Sequence, residues 1–135
     1  MKVLYTARTV TTGGREHGAA RSDDGLLDIR LSTPGTARIG ANPEQLFAAA
    51  WSATFESAIA HAARQRMIVL PAGLAIEAEV DLCLTNGAHL LQARLNVSLP
   101  GVEREIAQSL LHEAHQRCAY SKVTRDNGAF VINLT

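Results

Sequence analysis

Apolar and polar side chains alternate through residues 74–84 and again through residues 89–99. Leucine, isoleucine, valine and alanine occupy every second position from 74 to 84 and from 91 to 99, and charged or amide side chains fill most positions between them. A period of two is typical of strands that bury one face, and the intervening Asn86-Gly87 favours a tight turn. The pattern therefore predicts a long β-hairpin, with Cys83 on its polar face.

The segment after Asn42 begins with a helix start signal. Asn42 is a favourable N-cap, Pro43 suits the first helical position, and Gln45 completes a capping box. We expect this helix to continue to about Arg66 or Met67. Its first half is apolar on all sides, and such a helix is normally buried on every side. One sheet in a chain of 135 residues covers only part of that surface, so we expect a second subunit to cover the rest.

Turn residues divide the N-terminal third into short strands. An Asp-Asp-Gly turn at residues 23–25 favours a hairpin between residues 17–22 and 26–31. Residues 3–10 alternate weakly, which adds a further strand. Residues 32–41 are rich in turn formers and have no period, so they indicate a loop. The N-terminal third is therefore expected to be a small antiparallel meander.

The C-terminal third combines a helix with a closing strand. Apolar side chains recur at helical spacing from Ile106 to Ala114, and Cys118 extends this apolar stripe by one step. Residues 129–134 have the pattern of a strand. The whole pattern predicts an α+β architecture with helices packed on an antiparallel sheet.

Composition narrows the classes of function. The chain has 13 basic and 13 acidic side chains and a formal net charge of zero, which argues against a nucleic acid or an anionic membrane as partner. No linker or repeat divides residues 1–135, so we expect one domain. Without an apolar stretch of roughly 18 residues, the protein is expected to be soluble and cytoplasmic. Cys83 and Cys118 are then expected to stay reduced, without a structural disulfide.

Three separated motifs resemble one known family. They are Thr12-Gly13-Gly14-Arg15, the segment NPEQLFAAAWSATF at residues 42–55, and the segment AHQRCAYS at residues 114–121. In this order they resemble the organic hydroperoxide resistance (Ohr) branch of the OsmC family, over nearly the whole chain. The resemblance implies an OsmC/Ohr-like α+β fold, with antiparallel sheets packed on a long buried central helix in an intertwined homodimer.

The resemblance also implies a thiol peroxidase site. In this family a cysteine at the position of Thr54 reduces hydroperoxides. Arg15 and Glu44 match the activating arginine and its carboxylate, and Cys118 matches the resolving cysteine. The chemistry needs a thiolate that becomes a sulfenic acid and condenses with a second thiol. Because Thr54 offers only a hydroxyl, ordinary peroxidase catalysis is expected to fail.

Other catalytic groups are weaker candidates. Cys118 lies at a helix C-terminus on an apolar stripe, where the helix dipole and desolvation both disfavour a thiolate. An arginine such as Arg15 could offset this, so a one-cysteine peroxidase stays open. On the hairpin, the acidic neighbours of Cys83 repel a thiolate. His112 and His115, with His61 elsewhere, lack a third ligand at suitable spacing, and we expect neither a metal nor a cofactor.

Structural roles explain the same residues without catalysis. Arg15 is then a solvated loop charge, and Glu44 stabilises the positive end of a helix dipole. Thr54 is a core residue whose hydroxyl donates to the carbonyl four residues back. Cys118 is a small buried hydrophobe.

Helix geometry separates Glu44 from Thr54. Ten residues span about 15 Å along a helix axis, so one Arg15 side chain cannot easily contact both within the same chain. The family resemblance implies that Arg15 and Glu44 frame the Thr54 pocket at a subunit interface, and we therefore expect them to approach it from the partner subunit.

The chain departs from the pattern of the family at more than one position. Ala119 replaces the usual proline and Lys122 a common asparagine, and Trp51-Ser52 stands for a more usual Tyr-Ala pair. Trp51 lies one turn from Thr54 and is expected to crowd its pocket. Such neighbouring departures favour natural divergence over a single engineered exchange.

The sequence leaves two main functions open. The first is an Ohr/OsmC-like protein of the oxidative-stress response, with thiol peroxidase activity lost or altered, a hydroperoxide as substrate and a dithiol as reductant. The second is a non-enzymatic binder of a small apolar or acyl ligand, anchored by Arg15 in the retained dimer-interface pocket. A hydrolase that uses Thr54 as nucleophile ranks last, because no base lies near it in sequence.

Overall fold

Two three-stranded sheets form the β structure of the described residues. A computed structural model describes residues 1–124 and 129–135. Contacts divide the chain into two units, residues 1–46 and residues 47–135. Each unit contains one of the sheets. Within the described residues, no helix is long and apolar enough to cross a lipid bilayer.

The N-terminal sheet is an antiparallel meander, as the turn signals predict. Its strands are β1 (Thr9–Thr12), β2 (Ala19–Ser22) and β3 (Asp28–Arg30), hydrogen-bonded in that order. The first strand begins later than the alternation of residues 3–10 indicates. A four-residue helix, α1 (Gly14–His17), connects β1 to β2 and was not predicted. It is too short to carry a helical repeat that could be seen in sequence.

Helix α2 spans Pro43–Gln65 and starts where the sequence predicts. The backbone N–H of Asn42 donates to Gln45 Oε1 at 3.0 Å, and the N–H of Gln45 donates to Asn42 Oδ1 at 2.9 Å. This reciprocal pair is the predicted capping box. The helix ends slightly before the predicted Arg66 or Met67, because Met67 has a left-handed φ of 54°, a common way to terminate a helix.

The second sheet contains the predicted hairpin. Strands β4 (Ala75–Thr85) and β5 (Ala88–Ser98) pair antiparallel along their full length. Strand β6 (Phe130–Leu134) lies on the other side of β5 and runs parallel to it, so the expectation of an entirely antiparallel sheet is wrong here. A parallel neighbour requires a long crossover. Helix α3 (Arg104–Arg117) and the unpredicted short helix α4 (Ala119–Thr124) lie in that connection.

The hydrophobic core lies between helices α2 and α3 and the inward face of β5. Its buried members are Trp51, Phe55, Ile59, Ala93, Leu95, Val97, Leu99, Ala107, Leu111, Ala114 and Cys118. The inward positions predicted for β5 are thus confirmed from Ala93 onwards. Near the hairpin turn Leu82 and Leu84 are exposed, although alternation places them on the inward face.

Only one side of α2 is buried within a single chain. The buried side comprises Trp51, Phe55, Ile59, Ala62 and Ala63. Ala49 and Ala53, on the same helix, are exposed. The burial on every side that the sequence indicates is therefore not present in one chain.

Candidate functional site

Arg15 and Glu44 form an ion pair within residues 1–46. Arg15 Nη2 lies 2.5 Å from Glu44 Oε1 and 2.6 Å from Oε2, so one nitrogen donates to both oxygens. The Arg15 side chain is 33% exposed and that of Glu44 is 15% exposed. Because the pair is partly shielded from water, its attraction is screened less than that of a surface ion pair.

Local backbone geometry sets the position of each partner. Gly13 precedes the helix that carries Arg15 and has a φ of +81°, and a Cβ there would lie 2.9 Å from Gly18 Cα. A side chain at position 13 would therefore strain the turn. Glu44 lies in the first turn of α2, where the helix dipole favours a carboxylate.

Thr54 and Cys118 line a common cleft in residues 47–135. The cleft has a volume of about 530 Å³. Helix α2 contributes Thr54, Ser57, Ala58 and His61, and the segment from the end of α3 into α4 contributes Gln116, Arg117, Cys118, Ala119 and Lys122. Thr54 and Cys118 are 64 residues apart in sequence, and the fold brings them to the same cleft. The family resemblance matches these two positions to the two cysteines that react in the peroxidase cycle.

Thr54 is not the buried core residue that a purely structural role would require. It is half-buried, and within the described residues its hydroxyl forms no hydrogen bond to the carbonyl four residues back. Ser52 makes that contact instead, because its Oγ donates to the carbonyl oxygen of Ala48 at 2.7 Å. The Thr54 side chain is therefore at the wall of the cleft and not in the packed interior.

Cys118 is buried at the point where α3 ends. It is the C-cap of α3, its backbone N–H donates to the carbonyl of Ala114, and it is 2% exposed. It packs in the core with Leu111 and Ala114. The predicted place of this cysteine, at a helix C-terminus on an apolar stripe, is confirmed.

Several cleft residues were not singled out from the sequence as residues of the Thr54 site, and His61 was considered only as a metal ligand. Ser57, Ala58 and His61 follow Thr54 by three, four and seven residues, which is the spacing of one helix face. That periodicity could have identified them. The α4 residues had no such signal, because α4 itself was not predicted. Ala119 and Lys122, where the family resemblance leads one to expect proline and asparagine, also line the cleft.

Trp51 does not line the cleft, so the expectation that it crowds the pocket is wrong. It is fully buried and packs on Phe47 and Phe130, with ring centroids 6.0 and 5.8 Å away. Three residues along a helix rotate the side chain by about 60° relative to Thr54. This rotation directs Trp51 into the core and Thr54 to the cleft.

Cys83 lies on the polar face of the β4–β5 hairpin, as predicted, and is partly exposed. On this face Arg94 donates to Asp81 at 2.9 Å and to Glu79 at 3.1 Å. These hydrogen bonds lower the pKa of both carboxyl groups. Arg94 therefore offsets part of the negative charge that neighbours Cys83.

His112 and His115 line a second cleft, of about 570 Å³, between α3 and β6. His61 lines the Thr54 cleft, so the three histidines are divided between two places. In residues 1–124 and 129–135, no three histidine, cysteine or acidic side chains are grouped as metal ligands.

Comparison with known proteins identifies relatives along most of the chain. The family model described as OsmC-like protein matches residues 34–132. An organic hydroperoxide resistance protein of Xanthomonas axonopodis pv. citri is 42% identical over 130 residues, which are 93% of this chain and 91% of that protein.

Solved structures show the same fold. The crystal structure of OhrB of Bacillus subtilis has a TM-score of 0.90 at 38% identity and covers 98% of this chain and 100% of that one. An organic hydroperoxide resistance protein from Elizabethkingia anophelis, with crystallant-derived thiocyanate bound, has a TM-score of 0.86 at 38% identity and covers 100% of this chain and 97% of that one. The mixed α+β fold, with its mainly antiparallel sheets, is thus that of organic hydroperoxide resistance structures. On these matches the chain belongs to the OsmC/Ohr family.

Proposed function

We propose that this protein is an organic hydroperoxide resistance protein in which thiol peroxidase activity is lost or altered, because Thr54 occupies the peroxidatic position. The observation that carries the proposal is the common cleft of Thr54 and Cys118. This cleft contains the hydroxyl group of Thr54 and the buried thiol of Cys118. A catalytic cycle that forms a disulfide needs two sulfur atoms, and the cleft supplies only one. Relatives named for organic hydroperoxide resistance support the substrate class.

The missing step follows from the chemistry of the two side chains. A thiolate at position 54 attacks the terminal oxygen of the hydroperoxide, the O–O bond breaks, and the alkoxide leaves and takes up a proton. The resulting sulfenic acid condenses with the Cys118 thiol and releases water, and an external dithiol then reduces the disulfide. A threonine hydroxyl is not ionised near neutral pH and has no sulfenic state, so it cannot begin this sequence.

The test is consumption of tert-butyl hydroperoxide by the purified protein with dithiothreitol as reductant. We expect no turnover above background for the unmodified protein and clear turnover for Thr54→Cys. The matched control is Thr54→Ser, which also lacks the native methyl group but supplies no sulfur, and it should stay inactive.

Cys118→Ser separates the remaining outcomes. In the Thr54→Cys background it should prevent the intramolecular disulfide, which mass spectrometry of the peroxide-treated protein detects. Turnover by the unmodified protein that disappears in Cys118→Ser would identify an altered, one-cysteine peroxidase, whereas turnover that persists in Cys118→Ser would contradict the proposal.

We also propose that two copies form a homodimer in the cytoplasm. The exposed alanines of α2, Ala49 and Ala53, support a second subunit on that side of the helix, because small side chains allow another element to approach closely. In this arrangement the Arg15–Glu44 pair of one copy approaches the Thr54 cleft of the other. The pair would then orient a ligand head group in that cleft.

The second candidate function is a non-enzymatic binder of a small apolar or acyl ligand. It is favoured by the size of the Thr54 cleft, about 530 Å³, which lies within the usual range of small-molecule sites. Thr54, Ser57, Ala58 and Ala119 are all small and leave room at its wall. Ligand binding with no hydroperoxide turnover in the unmodified protein would support this function.

A further inference from the structure

The cleft that Thr54 lines has more basic than acidic side chains in its described lining. Its lining includes two side chains that are positive at neutral pH, Arg117 and Lys122, together with His61. Among the described residues, no aspartate or glutamate lines it. The chain as a whole has a formal net charge of zero, so this local excess of cations is not a reflection of overall composition.

Within the described residues, ion pairs neutralise the two cations only in part. Lys122 is exposed and forms no ion pair with any residue of the described parts of the chain. Arg117 lies 3.4 Å from Glu113, but Glu113 is closer to Arg66, at 3.0 Å. One carboxylate is thus shared by two guanidinium groups, and Arg117 retains further N–H donors for a ligand.

Neutral groups complete the lining. Thr54 and Ser57 carry hydroxyl groups, and Ala58 and Ala119 offer apolar surface. Cys118, at 2% exposed, forms part of the closed floor. A ligand that fits this combination has an anionic oxygen head group and a short apolar part.

We infer that this cleft binds a short-chain acyl carboxylate, with its head group held by Lys122 and Arg117. The inference deepens the binder function and rests on it, since the ligand occupies the same cleft. It differs from a head group anchored by Arg15, because both cations here belong to the cleft itself. Lys122 is the specificity-determining residue, since Arg117 is already partly engaged by Glu113.

Binding of hexanoate and of the neutral hexanamide to the unmodified protein tests the inference. Isothermal titration at low ionic strength measures both affinities without any peroxide present. We expect hexanoate to bind about tenfold more tightly than hexanamide, and added salt to reduce that ratio, because salt screens exposed charges.

Lys122→Met removes the charge and keeps most of the apolar stem. It should weaken hexanoate binding about fivefold, the effect of one exposed charge at about 4 Å in water, and leave hexanamide binding unchanged. The chain offers a matched control, since Lys2 is its other lysine, and Lys2→Met should change neither affinity.

The outcomes separate this inference from the functions on which it builds. Equal affinity for hexanoate and hexanamide would overturn the carboxylate preference and retain the binder. If neither probe bound, both the carboxylate preference and the binder function would be overturned. Hydroperoxide turnover in Thr54→Cys would in that case still support the altered peroxidase. An equal loss of hexanoate binding in Lys2→Met and Lys122→Met would assign the effect to overall charge and contradict a role for this cleft.

Discussion

Arg15 holds the carboxylate of Glu44 through a single nitrogen, with Nη2 at 2.5 and 2.6 Å from the two oxygens. Both residues belong to residues 1–46, so the contact is complete within one chain. Within the described residues, the other N–H groups of this guanidinium group form no hydrogen bond to a side chain. The ion pair with Glu44 therefore fixes the orientation of the Arg15 side chain before any ligand binds.

A double-mutant cycle should detect this pair. Arg15→Ala and Glu44→Gln should each lower the free energy of unfolding, and the coupling energy between them should be about 1 kcal/mol, because the pair is partly buried. Urea denaturation followed by circular dichroism measures it. Arg8→Ala, at an exposed arginine, serves as control and should change stability by less than about 0.5 kcal/mol. A coupling energy of zero would show that the contact does not persist in solution.

Trp51 tests the packing of the core. Trp51→Ala should lower the free energy of unfolding by about 3–5 kcal/mol, the usual cost of removing a large buried aromatic side chain. Trp51→Phe should cost only about 1–2 kcal/mol. Within the described residues the indole Nε1 has no hydrogen-bond acceptor, so phenylalanine loses packing but no hydrogen bond.

Circular dichroism must follow these variants, because Trp51 is the one tryptophan of the chain and each substitution removes its fluorescence. If Trp51→Phe proved as costly as Trp51→Ala, the indole would have a polar partner that the fold does not explain.

Acid should weaken the contacts of Arg94. Its hydrogen bonds lower the pKa of Glu79 and Asp81 from ordinary values of 4.5 and 3.8. A carboxyl group with a lower pKa in the folded state stabilises the protein above its unfolded pKa, and this contribution is lost as the pH falls through the folded pKa. We expect the melting temperature to fall as the pH decreases below about 4.5.

Arg94→Gln should reduce that acid sensitivity, because Glu79 and Asp81 then lose the hydrogen bonds that contribute most to lowering their pKa. Melting temperatures between pH 7 and pH 3 measure the difference. Arg64→Gln, at an exposed arginine near the end of α2, should retain the acid sensitivity of the unmodified protein. If the melting temperature depended on pH in the same way in all three proteins, Arg94 would not be the cause of the acid sensitivity.

The proposed homodimer depends on the exposed alanine side of α2. Ala53→Glu places a charge there and should shift the protein from dimer to monomer in sedimentation velocity experiments, since an unpaired buried charge is costly at an interface. Gln65→Glu adds the same charge at the exposed end of the same helix and should leave the dimer intact. A monomer in the unmodified protein at micromolar concentration would contradict the proposal.

Local signals predicted those parts of the fold that local interactions determine. Asn42 and Gln45 define the start of α2 because the capping box involves only neighbouring residues. The β4–β5 hairpin follows from alternation and an Asn-Gly turn. The direction of β6 was not predictable in this way, because its pairing with β5 depends on where the crossover helices lead the chain.

The site was predictable in its parts and not in its arrangement. The motifs named Thr54 and Cys118 as candidate site residues, and the structure places both in one cleft. No periodic signal joins α2 to the short α4, so Lys122 was named only as a departure from a family pattern. Trp51 shows the opposite error, because proximity in sequence to Thr54 indicated a shared pocket that the rotation of the helix excludes.

Among the described residues, the Thr54 cleft is lined by two short stretches, residues 54–61 and 116–122, and by no strand. Substitutions at its solvent-facing positions therefore leave sheet pairing untouched. Ligand preference can therefore change during evolution while the scaffold stays constant. Relatives that share this architecture can thus bind different ligands. For engineering, grafting these two stretches onto a related scaffold offers a compact route to transfer specificity.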